Sequence, residues 1–130
     1  MGLIFAVAML GVLGLGAWVR LAPSDPARWH QPLEFTTDDT LPGGVQRRVD
    51  GGDLAALDVI IRATPRTSVL AGSVAEGRVT YITRSLVWNF PDYTTVQQKG
   101  DDLLIFARLR FGGSDLGVNR KRVSRWLDQM

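Results

Sequence analysis

The first nineteen residues, MGLIFAVAMLGVLGLGAWV, contain no charged side chain. No other stretch restricts so sharply what its part of the chain can become. At 1.5 Å rise per residue, a helix over this run is roughly 28 Å long, about the thickness of a bilayer's hydrocarbon core. Trp18 and Arg20 stand at its end, where an aromatic ring and a cation anchor a span at the membrane–water interface. Residues 1–20 therefore read as a transmembrane anchor. A cleaved export signal and a buried soluble helix are the alternatives. The signal reading has Gly14-Leu15-Gly16 before Ala17 as a passable cleavage site, but it lacks the basic segment that usually precedes an export signal's apolar run. Ala8, Gly11 and Gly14 form a small-residue patch that admits a neighbouring helix closely, or simply mark a glycine-rich span.

Residues 21–33, LAPSDPARWHQPL, carry three prolines, which fix φ and remove amide donors. They read as an extended, proline-rich tether, with Trp29 either at headgroup level or packed back on the domain. His30 has no Ser, Cys or acidic residue placed beside it in the sequence and reads as a surface or packing residue. Residues 34–130 make one small domain. Residues 34–44 read as loop and residues 45–49 as a short strand. Asp53 is suited to cap a helix in which Leu54, Leu57, Ile60 and Ile61 share a face. Pro65 ends it. Hairpins follow over 67–74 with 78–87, and over 92–98 with 103–111. A helix over about 116–129, capped by Ser114 or Asp115, completes the chain. The order β-α-β-β-β-β-α predicts an α+β fold, a two-layer domain whose antiparallel sheet of four to five strands carries both helices on one face.

Strand alternation then assigns faces. Leu103, Ile105, Ala107, Leu109 and Phe111 point under the helices, while Arg108 and Arg110 point away. Arg84 joins those two arginines if its strand pairs in the matching register. On the last helix Leu116, Val123, Trp126, Leu127 and Met130 form the apolar stripe, with Lys121, Arg122 and Arg125 facing water.

No cysteine and a single histidine exclude thiolate chemistry and multi-histidine metal sites. There is no P-loop, dinucleotide-binding glycine pattern, nucleophile elbow or HExxH, and no cofactor is expected. A net charge of +2 does not argue for nucleic acid. The strongest polar constellation is Asp92, Arg108, Ser114, Asp115, Asn119 and Arg120. Its structural reading is an interlocked helix cap in which Gly113 permits the turn and Arg120 pairs with Asp92. Its functional reading is an anion site at a helix N-terminus. An aspartate at the cap disfavours the latter, because it already occupies the amides and repels an anion.

The segment SDLGVNRKRVSRW resembles the ending of the DUF1499 family, in which an Arg- and Ser-rich strand precedes Asp-x-Gly-x-Asn-Arg and a basic helix. Asp115, Gly117, Asn119 and Arg120 fit that pattern, Phe90-Pro91-Asp92-Tyr93 fits its aspartate-bearing strand start, and Trp29-His30-Gln31-Pro32-Leu33 resembles its opening segment. The family's Pro/Cys segment is missing, and Ala107-Arg108-Leu109-Arg110 replaces a serine-rich strand. The resemblance implies no reaction. It does imply an exported domain, single-pass in the cytoplasmic membrane and leaning to the periplasmic side, against the weak positive-inside signal of Arg20 and Arg28. The expected function is non-enzymatic, as an accessory, assembly or interaction subunit in contact with membrane lipid and an integral membrane complex. The alternatives are a module that binds an anion or lipid headgroup through Arg84, Arg108 and Arg110, and an enzyme built on a carboxylate of raised pKa in a deep pocket.

Overall fold

The computed structural model describes residues 1–130. Its first element, α1 (Gly2–Leu21), is the predicted apolar helix, long and apolar enough to cross a membrane. Nearly all of it is exposed; only Gly16 and Val19 are buried, where its last turns meet the domain.

The tether is not a free extended strap. Pro26 sits at the start of a one-turn helix, α2 (Pro26–Trp29), whose cap is Asp25 accepting from the Ala27 amide at 2.9 Å. Trp29 is buried against the domain, so of its two expected placements the chain takes the packed one.

Six strands form one antiparallel sheet in the order β1-β2-β6-β5-β4-β3. They are β1 (Asp39–Leu41), β2 (Gly44–Val49), β3 (Thr67–Ser73), β4 (Arg78–Arg84), β5 (Pro91–Lys99) and β6 (Asp102–Leu109). The count exceeds the expected four to five because β1 lies within the stretch read as loop. Three residues long and pairing only with β2, it shows too short an alternation to register in the sequence. β4 also stops earlier than expected, at Arg84, and residues 86–88 turn out of the sheet.

Helices α3 (Leu54–Arg62) and α4 (Val118–Asp128) cover one face, as expected. Asp53 caps α3 through its carboxylate and the Ala55 amide. Leu54, Leu57 and Ile61 of α3 and Val123 and Trp126 of α4 meet Val45, Val79, Tyr81, Val96, Leu103, Ile105 and Ala107 of the sheet in one core. The alternation of β6 thus points as read. Burying a side chain of this size contributes about 1.5–3 kcal/mol, and this core fixes which face of each strand is inside.

The opposite sheet face is covered by residues 22–33. Trp29 stacks on Tyr93 of β5, ring centroids 3.9 Å apart and planes 11° from parallel. Gln97 takes both backbone groups of Leu33, accepting from its amide at 2.8 Å and donating to its carbonyl at 3.1 Å. His30 has a packing role, its Nδ1 2.8 Å from Thr80 Oγ1 and its Nε2 2.9 Å from Glu76 Oε1. Gly72, at φ +84°, makes room for it: a Cβ there would lie 2.6 Å from the imidazole and 2.1 Å from the Arg78 carbonyl.

Candidate functional site

α4 begins later than its sequence suggests, and the delay builds the polar cluster. Asp115 accepts from the backbone amides of Gly117 at 2.9 Å and Asn119 at 3.0 Å. The chain therefore closes a tight turn before the helix starts at Val118, with Gly117 in the left-handed region as its N-cap. Of the two expected capping residues, Asp115 does the capping, from outside the helix. Ser114 only accepts from the Leu116 amide at 3.3 Å. The turn throws Leu116 outward, 86% exposed at φ +53°, so it is not part of the apolar stripe.

Asn119 is wholly buried and joins the cluster's parts. Its Nδ2 donates to Asp115 Oδ2 at 2.9 Å and Asp92 Oδ2 at 3.3 Å, and its Oδ1 accepts from Arg122 at 2.7 Å. Arg122 also reaches Asp92 at 3.2 Å, and both side chains are largely buried. Two expectations fail at this point. The partner of Asp92 is Arg122 and not Arg120, and Arg122 does not face water. The reason is helical spacing: Arg122 lies three residues after Asn119 on the same face, whereas Arg120 is one residue on and turns outward.

Asp92 lies at the wall of a cavity of about 240 Å³ shared with Ser85, Phe90, Phe111 and Ser114. Burial pushes its carboxyl above the ordinary range, Arg122 pulls it back, and the nearby Asp115 adds a smaller upward push. The guanidinium, the amide and the two carboxylates pair chiefly with one another. The cluster can therefore lock α4 to β5.

The three sheet-face arginines form a second group. Register puts Arg84, Tyr93 and Arg108 on one face, and Arg110 follows from β6. Each donates to carbonyls of the chain itself. Arg84 reaches Val19 O at 3.5 Å and Asn89 O at 3.0 Å. Arg108 binds Trp29 O, Phe106 O and Thr95 Oγ1. Arg110 binds Pro23 O at 2.7 Å and Tyr93 Oη at 3.1 Å. Burial pulls Arg108 down to about 10, with no carboxylate beside it to hold it up. Carbonyls exposed by a proline-containing, non-repeating segment need donors, and these arginines supply them. Arg108 thus stands on the far side of the sheet from Asp92, Asp115 and Asn119.

Ala8, Gly11 and Gly14 lie on the free part of α1, with no domain atom within 4 Å of a Cβ built at either glycine. Sequence reading missed several features. Asp58 and Tyr81 form a buried pair joined by the exposed Arg62, with Tyr81 Oη donating to Asp58 at 2.5 Å and Arg62 Nε 2.9 Å from both carboxylate oxygens. Asp58 is followed by Arg62 at helical spacing, which is a legible signal; Tyr81 is not. A cavity of about 400 Å³ between the ends of α3 and α4 is lined by Arg66, Arg122, Arg125 and Trp126, with no acidic residue. The ends of two helices point their carbonyls towards it, which opposes an anion.

Among curated proteins and solved structures, none matches this chain. A family model matches residues 19–130, starting at Val19 in the last turn of α1. Over those residues the chain is a member of the family described as protein of unknown function (DUF1499), to which it therefore belongs.

Proposed function

We propose that this protein is a membrane-anchored, non-catalytic interaction domain, an accessory or assembly subunit of an integral complex of the cytoplasmic membrane, with its domain on the periplasmic side. The observation that carries this reading is the mounting of the domain. Carbonyls of Val19, Pro23 and Trp29, in and just after the apolar helix, are held by Arg84, Arg110 and Arg108 of the sheet. A domain on a flexible strap samples many orientations; one clamped to its anchor presents the same face at the same height above the bilayer. That suits docking to a neighbour in the same membrane, because orientation is fixed before binding and less freedom is lost on association.

Extraction in mild detergent followed by mass spectrometry should recover the protein with a stoichiometric integral membrane protein, and an alkaline phosphatase fused after Met130 should be active. A protein that purifies alone and monomeric counts against the subunit reading. An inactive fusion places the domain on the other side. The headgroup-binding alternative meets Arg84, Arg108 and Arg110 already donating to backbone carbonyls. The enzyme alternative draws on one observation, the raised carboxyl of Asp92 at a cavity wall, but that carboxylate is engaged by Arg122 and Asn119.

A further inference from the structure

Beside the end of α1 the turn between β4 and β5 presents three consecutive apolar side chains to solvent. Leu86 is 75% exposed, Val87 70% and Trp88 48%. A soluble loop of this kind is normally polar, and contiguous exposed apolar surface marks an interaction site. This loop is also firmly built. Ser85 N donates to Phe90 O at 3.0 Å and Phe90 N to Ser85 Oγ at 2.9 Å, closing its base. Asn89 takes the left-handed region at φ +56°, and Arg84 holds its carbonyl. The apolar tip is therefore displayed by a closed frame.

Its position relative to α1 identifies what covers it. The Trp88 ring lies 3.9 Å from where a Cβ on Gly16 would stand, and Arg20 donates to the Val87 carbonyl at 3.2 Å. The loop thus runs alongside residues 16–20, about 6 Å of helix rise. Those residues are the last turn of the apolar span, the level at which Trp18 (55% exposed) and Leu21 also stand free. When α1 spans a bilayer, the loop is carried to the boundary between acyl chains and headgroups. Tryptophan and arginine are the side chains suited to that depth, the one by its amphipathic ring and the other by its reach to phosphate.

We infer that residues 86–88 are a second membrane contact, a loop that seats in the interfacial layer of the bilayer beside the anchor and fixes the tilt of the domain. The inference rests on the anchored reading of α1 and adds a lipid-facing surface to it. The polar neighbours of the loop fit the placement: Arg20 and Arg84 flank it, and no acidic residue lies between Arg84 and Asp92. The opposite end of the sheet, with the turns at residues 74–77 and 100–101, is a strand length away and stays in water.

The chain has no cysteine, so single nitroxide labels can be placed at will in the full-length protein. Leu86→Cys tests the loop, Leu10→Cys tests the span, and Ala75→Cys marks the distal turn. After reconstitution into vesicles of phosphatidylethanolamine and phosphatidylglycerol, the spectra report collision with oxygen, which partitions into lipid, and with a nickel chelate, which stays in water. The expected result is a loss of nickel accessibility at L86C to interfacial depth, deep burial at L10C and full nickel accessibility at A75C. An L86C label as accessible as A75C, with L10C buried, overturns the loop contact and leaves the anchor standing. An L10C label exposed to nickel overturns the anchor, and the loop contact with it. Val87→Cys reads the same depth from the neighbouring residue should L86C fail to reconstitute.

Discussion

Asp92 illustrates how a residue's role can change between sequence and structure. As an aspartate at the start of a strand, near a basic helix, it suggests an ion pair with Arg120. Folding makes it one corner of a square with Asn119, Asp115 and Arg122. Asp92→Asn keeps the shape and removes the charge, leaving Arg122 buried without its carboxylate. Because burial costs this carboxylate more than Arg122 returns, we expect the full chain in micelles to lose only about 0.5–1.5 kcal/mol at neutral pH, the worth of a weakened hydrogen bond. The pH dependence separates this site from ordinary ion pairs. Because burial holds the folded carboxyl above its ordinary 3.8, the folded state binds that proton more tightly than the unfolded chain. Asp92 therefore adds stability as pH falls through the raised value, and the gap between wild type and Asp92→Asn should widen. Asp102 has the opposite sign. The Gly51 amide and Arg48 hold its carboxyl below the ordinary value, so its stabilisation is lost on acidification and the gap to Asp102→Asn should narrow. Denaturant midpoints of the three proteins at about pH 7 and about pH 3, below the ordinary 3.8 of both carboxyls, check both signs; parallel shifts would refute the assignment. The members of the cluster were legible in part. Asp92, Asp115 and Asn119 were identified as polar residues of one constellation. Their partner Arg122 was not, because a basic run KR offers no sequence signal for which cation turns inward.

At the scale of elements, long and strongly alternating strands were readable, and so were both domain helices. The three-residue β1 was not, and neither was the docking of residues 22–33, whose prolines say only that they cannot join a ladder. That docking depends on side chains some 60 to 90 positions away, such as Tyr93, Gln97, Arg108 and Arg110. The tightest link is the Trp29 carbonyl, which accepts from both Arg108 and Thr95 Oγ1. Arg108→Ala removes the donor and also the cation that lies 5.4 Å from the Trp29 ring centroid. A buried carbonyl that loses a charged donor costs about 1.5–3 kcal/mol. The segment should then detach before the domain unfolds, since the core under α3 and α4 is on the other face. Limited proteolysis should show new cleavage within residues 22–28 with the core fragment still resistant. Unchanged cleavage would mean that the Trp29–Tyr93 stack holds the segment unaided.

On the scale of the whole molecule, the apolar helix, the linker and the domain are one continuous object, because carbonyl-to-arginine links cross the boundaries that the sequence would draw. Arg84 ties the sheet to the end of α1, and Arg110 ties it to Pro23 just beyond. The two bonds act on the same short segment from β4 and from just past the end of β6, with β5 between them, so removing both should free rotation that removing either leaves blocked. A spin label introduced by Val12→Cys in α1 and another by Asp101→Cys in the distal turn report the angle between anchor and sheet as a distance distribution. The reconstituted protein should give one narrow distribution. Arg84→Ala combined with Arg110→Ala should broaden it by more than the two single changes together, as expected for contacts sharing one element. The core packing of Leu57, Val96 and Trp126 is untouched by either change, so the domain should keep its denaturant midpoint. A distribution already broad in the wild type would show that the clamp does not orient the domain, and the case for a pre-oriented docking subunit would fall with it.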